Sequence, residues 1–92
     1  MSPTEQYHQN FISAMFQIMS FGMNQAQFAE WLGVNRVTIY KITERKQAPT
    51  VEHGITLCKK AGIDANWLFL NKGSLKIVSR SVTQKEGTPS NA

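Results

Sequence analysis

"NQAQFAEWLGVNRVTIYKI", residues 24–42, holds two short segments of helical spacing on either side of one glycine. In the first, Phe28, Ala29 and Leu32 share a face if the segment is an α-helix. In the second, Ile39 and Ile42 share a face, and the cations Arg36 and Lys41 fall away from it. Asn24 and Asn35 stand where each helix would start, and a short carboxamide there accepts a first-turn N–H. Gly33 can take the left-handed conformation that stops a helix without a Cβ penalty. The stretch therefore predicts a helix over 25–32, a tight turn at Gly33, and a second helix from Arg36 to about Glu44.

Helical signals continue on both sides. In "SPTE", residues 2–5, Ser2 is a cap, Pro3 suits the first helical position, and Glu5 completes a capping box. Tyr7, Phe11, Met15 and Ile18 then recur at helical spacing to about Ser20, and Gly22 ends that helix. "RKQAPT", residues 45–50, reads as a loop because Ala48 precedes Pro49 and is pushed out of the helical region. Thr50 caps a fourth helix that runs to Ala61 and stops at Gly62. Asp64 caps a short fifth, "ANWLFL", with Trp67, Leu68 and Leu70 assigned to the core and Gly73 closing it. Met15, Met19 and Met23 read as core gap-fillers. Trp31 has two readings, core rim or exposed platform.

Beyond Gly73 the character changes. "SLKIVSRSV", residues 74–82, alternates weakly, with Leu75 and Ile77 on one face if extended. "TQKEGTPSNA", residues 83–92, lacks large apolar groups and reads as disordered. The expected fold class is all-α: five short helices in one domain over residues 1–73, then a tail. Residues 74–82 are a candidate dimerisation segment.

Composition narrows the function. Ninety-two residues suffice for one small core, and ten Lys and Arg against six Asp and Glu give a net charge of +4, which favours an acidic partner. No run is apolar and long enough to span a bilayer, and the amino terminus lacks the layout of a secretory signal. Cys58 is the single cysteine, so no internal disulfide forms and a reducing cytoplasm is the expected location. It also leaves no zinc spacing, and His53 and Cys58 point in different directions on a helix. Neither a nucleophile motif nor a glycine-rich phosphate loop is present, so neither an enzyme nor a cofactor is expected. Cys58 reads as a structural, buried thiol.

Two helices packed around a glycine turn are one way to project a helix into the DNA major groove, which admits a single α-helix. Ala29 supplies the small residue where the helices approach, and Leu32, Val34, Ile39 and Ile42 supply the anchors. With Ile39 and Ile42 inward, Arg36, Val37, Tyr40, Lys41 and Glu44 fall toward the outside or its margins. A valine and an aromatic beside two cations suit a groove reader, because cations donate to guanine and apolar groups touch the thymine methyl. Tyr40 also has a packing alternative, against a neighbouring helix or a partner.

Gln25, Ala29, Gly33, Val34, Ile39 and Ile42, in this order and spacing, resemble the lambda-repressor-like, XRE-type helix-turn-helix regulators. Pro49 before the fourth helix and "GIDANWLFLNKG", residues 62–73, extend the resemblance, which covers roughly residues 5–73 and is similar to compact temperate-phage repressors. The resemblance implies that Asn24 and Gln25 hold the DNA backbone. It places Asn35, Arg36, Val37 and Lys41 at bases or adjoining backbone, adds Thr38 and Tyr40, and sets Arg45 and Lys46 near phosphates. Two positions depart from the family pattern. Thr43 stands where glutamate is usual, and Arg45 where glycine is frequent. The first helix also lacks the Lys or Arg with which many relatives clamp the backbone.

The expectation is a cytoplasmic double-stranded-DNA-binding regulator, a phage or mobile-element repressor acting as a homodimer on a palindromic operator. No second domain is read here, so a switch would come from a separate protein antirepressor or an inducer. The rival is a protein-interaction module on the same fold, an antitoxin or antirepressor partner, which would use the Tyr40 and Trp31 surfaces.

Overall fold

The computed structural model describes residues 2–77. Five α-helices follow one another: α1 (Pro3–Met19), α2 (Gln25–Leu32), α3 (Arg36–Thr43), α4 (Val51–Ala61) and α5 (Ala65–Leu70). Helix α1 starts where the capping box predicts, with Ser2 Oγ accepting from Glu5 N at 3.2 Å and Glu5 Oε1 accepting from Ser2 N at 2.9 Å. Its apolar stripe is the spine of the molecule. Phe11, Met15 and Ile18 are fully buried and meet Phe28 of α2, Ile39 and Ile42 of α3, Leu57 of α4 and Leu68 of α5. Helix α1 packs on α2, α3 and α5, while α4 is held by α2 and α5.

Four helices end alike, each with a residue at positive φ and an N–H reaching back to a carbonyl five residues earlier, or six in the last case. These are Val34 N to Ala29 O (2.9 Å), Lys46 N to Lys41 O (2.9 Å), Ile63 N to Cys58 O (3.2 Å) and Lys72 N to Asn66 O (3.1 Å). The turning residues are Gly33, Arg45, Gly62 and Asn71. Asn71, at φ 58°, is thus the residue that closes α5, two positions before the expected Gly73. Asparagine tolerates this conformation; arginine at φ 62° has no such excuse, so Arg45 carries local strain.

Two sequence expectations change, and one open reading is resolved. Leu70 is 61% exposed, because a six-residue helix lodges only Trp67 and Leu68 in the core. Cys58 is half-buried, its thiol pushed up by burial and then by the nearby Asp64. Trp31 belongs to the core rim, tilted against Phe28 with ring centroids 5.8 Å apart and covered by the Lys60 ammonium. The methionines agree: Met15 is fully buried, and Met19 and Met23 pack at the margin.

A close approach joins α1, α4 and α5. Tyr7 stacks on Phe69 at 5.0 Å and donates its hydroxyl to Thr50 O at 2.6 Å, at the start of α4. Gly54 lies beneath both rings. A Cβ there would come within 2.6 Å of Phe69 Cζ and of Tyr7 Oη. Two polar side chains of α1 are also buried. His8 Nε2 lies 2.9 Å from Ile42 O, an acceptor only, so this nitrogen carries the proton. Asn10 donates to Trp67 O at 3.0 Å.

After α5, Leu75 and Ile77 are half-buried against the same core, with Lys76 exposed between them, as the alternation predicts. No strand occurs among the described residues, and the readings of residues 78–92 lie outside them. No described helix is long and apolar enough to cross a membrane.

Candidate nucleic-acid interface

The candidate interface is built on α2 and α3. Gly33, at φ 83°, ends α2, the chain turns through Val34, and α3 packs on α2, whose Ala29 is only 2% exposed. Ile39 and Ile42 bury one side of α3 completely. That burial fixes the opposite side. Arg36, Val37, Tyr40 and Lys41 are exposed, Thr38 is half-buried beside them, and the side chains of Val37 and Tyr40 have 55% and 40% of their surface free.

The two caps leave a defined chemistry at the helix starts. Asn35 Oδ1 accepts from Val37 N at 2.7 Å, and Asn24 Oδ1 accepts from Gln27 N at 2.8 Å. Each carboxamide oxygen is committed to its helix, so what Asn24 and Asn35 can offer outward is the amide N–H. Gln27 Oε1 completes a capping box by accepting from Asn24 N at 2.9 Å. Gln25, half-buried, follows Asn24 at the same end of α2.

Acidic residues show a pattern that reading for motifs overlooks. Helices α1 and α4 carry Glu5 and Glu52 in their first turns, and α5 is capped by Asp64. The first turns of α2 and α3 contain no acid, and both caps are neutral asparagines. Their partial positive ends therefore have no acid in their own first turn or cap. First-turn composition, compared helix by helix, is the signal that would have revealed this.

At the far end of α3 lies the loop with Arg45 and Lys46, both exposed. Lys46 Nζ approaches Glu44 Oε1 at 3.4 Å, but the side chains are 72% and 62% exposed, so this pair is worth little and leaves Lys46 available. Arg45 instead reaches α1, where its Nη2 donates to Gln9 Oε1. Gln9 in turn donates from Nε2 to Ser13 Oγ at 3.2 Å. Thr43 donates to Ile39 O at 2.9 Å within its own helix. The residues predicted from sequence thus fall into three places: Asn24 and Gln25 at the start of α2, Asn35 through Lys41 on α3, and Arg45 with Lys46 beyond its end. His8 and Gln9, which hold the exit of α3, were not foreseen, since their partners lie 34 and 36 residues away in sequence.

Compared with known proteins, the chain matches the helix-turn-helix family over residues 17–68. Neither the curated proteins nor the solved structures gave a match. The family match covers more than half of the chain and runs from the end of α1 into α5, with the Gly33 turn inside it. The chain therefore belongs to the helix-turn-helix family, with the all-helical architecture of its XRE-type, lambda-repressor-like members, and is a DNA-binding transcription regulator.

Proposed function

We propose that this regulator is a sequence-specific repressor of phage or mobile-element type, acting as a homodimer on a palindromic operator. The observation that carries the reading is the division of α3: Ile39 and Ile42 fully buried, Arg36, Val37, Tyr40 and Lys41 exposed on the other side. In this reading α3 lies in the major groove, about 12 Å wide. Arg36, at the first turn, presents its fork to guanine O6 and N7. Lys41 biases a base further along the groove as a single mobile charge, and Val37 meets a thymine methyl. Asn35, Thr38 and Tyr40 add contacts to bases or adjoining backbone.

Asn24, Gln25, Arg45 and Lys46 hold phosphates, which fix register without reading sequence. The acid-free starts of α2 and α3 support this arrangement. Residues 1–73 form the DNA-binding unit, and residues 74–92 a tail. One such unit makes few contacts, and a symmetric pair doubles them on a two-fold site. Leu70, 61% exposed on α5, and the segment from residue 74 supply the surface for pairing. Selection of bound sites from random duplex DNA tests the proposal. A palindromic motif with half-sites about one helical turn apart is expected; recovery of sequences with no shared motif would overturn it.

A further inference from the structure

Arg45 is an odd residue for its place. Its backbone is left-handed at φ 62°, a conformation that favours glycine, and yet a long cation stands there. Its side chain does not extend freely. It returns to α1, where Nη2 donates to Gln9 Oε1. Gln9 is itself oriented, because its amide nitrogen donates to Ser13 Oγ at 3.2 Å, which turns the carbonyl oxygen toward the guanidinium. Gln9 is half-buried and Arg45 exposed, so one edge of the guanidinium is held while other donors remain open to solvent.

The neutrality of that contact matters. A guanidinium bonded to a carboxylate has its charge compensated; bonded to an amide, it keeps its charge for another anion. One acid is already close enough to feel it. Glu5, one turn before Gln9 on α1, is held below the usual carboxylate range by its bonds with Ser2 and, more weakly, by Arg45. The Ser2 cap occupies the Glu5 carboxylate, and the direct contact with Arg45 falls to the uncharged Gln9. This surface of α1 contains no cation, so Arg45 is the positive group presented beside it.

We propose that Gln9 is a positioning residue, which holds the Arg45 guanidinium ready for a DNA phosphate and must be uncharged to do so. This rests on the reading above that Arg45 faces DNA. A merely structural role predicts that an acid at position 9 is harmless, since it would keep or strengthen the contact. A positioning role predicts the opposite for binding.

The test uses the full chain, two duplexes (one selected site and one unrelated sequence of equal length), salt titrations and thermal unfolding. Gln9→Glu should unfold at or above the wild-type temperature. It should nevertheless bind both duplexes several-fold more weakly and lower the salt slope by about one per protomer, as Arg45→Ala does. Gln9→Ala should weaken both duplexes alike. In the Arg45→Ala background neither Gln9 change should cost anything more. Wild-type affinity for Gln9→Glu would overturn the role of Gln9, as would losses that persist undiminished without Arg45, since those would mean general repulsion or altered folding. A wild-type chain that binds neither duplex at low salt would instead overturn the DNA reading, and the role of Gln9 with it.

Discussion

Helix α3 presents two faces made by the same eight residues. Ile39 and Ile42 are fully enclosed by α1 and α2, and the carbonyl of Ile42 accepts from buried His8. Arg36, Val37, Tyr40 and Lys41 are exposed on the other side. The inner face sets where the helix lies; the outer face is free to be chosen for what it meets. Substitutions inside should therefore act through stability, and those outside through affinity.

The strongest way to break this division is Ile42→Ala. The side chain has no exposed surface, so its truncation should cost about 2–5 kcal/mol of stability. Binding should fall only in step with the unfolded fraction. An unchanged denaturant midpoint would show that the inner face does not hold α3.

A second test concerns the brace at Tyr7. Burial pushes its phenol up from the ordinary 10.0 to about 12, so the folded state favours the protonated form. The resulting stabilisation, about 2–3 kcal/mol, is fully present below pH 10 and is lost as the pH rises through 12. Tyr7→Phe should remove this component of the alkaline loss, and Arg36→Ala should leave it in place. Unfolding followed from pH 9 to 12 in the three proteins would show equal slopes if the brace had no such role.

Gly54→Ala sharpens the same region. The added methyl would meet Phe69 and Tyr7 at 2.6 Å, and Tyr7 is pinned by its bond to Thr50 O. A net loss of about 1–3 kcal/mol is expected, despite alanine's better helix propensity. A melting temperature at or above wild type would mean that Phe69 swings aside without cost.

The smallest effect belongs to Arg45→Gly. Glycine relieves the positive φ but loses the contact with Gln9, so stability should change by less than about 1 kcal/mol. Affinity should fall on every DNA sequence alike. A loss confined to one sequence would move Arg45 from the backbone to a base.

Much of this was legible in the sequence because it is local. Caps at Ser2, Asn24, Asn35, Thr50 and Asp64, and the apolar spacing of α1 through α4, act within one or two turns, and the helix boundaries follow from them. What sequence reading missed depends on distant partners. His8 and Asn10 look like surface residues of α1 until α3 and α5 bring the carbonyls of Ile42 and Trp67 to them. Leu70 follows the apolar spacing of α5, yet the helix is too short to bury it. Gly54 looks like a weak helix residue and is a point of close approach. The outer face of α3 was legible as a face, while the link from Gln9 to Arg45 was not, since no local pattern joins residues 36 apart.

The claim at the centre is that the outer face of α3 reads bases, and Arg36→Ala tests it most directly. Its binding should be measured on a selected operator and on unrelated duplex, with folding followed in parallel. The account predicts a loss of roughly 1–3 kcal/mol on the operator, with preference flattened at one base pair in each half-site. Unrelated DNA should lose much less, and stability should stay within about 0.5 kcal/mol, because the position is exposed. Equal loss on both duplexes would make Arg36 a backbone contact and contradict the assignment of the reading face.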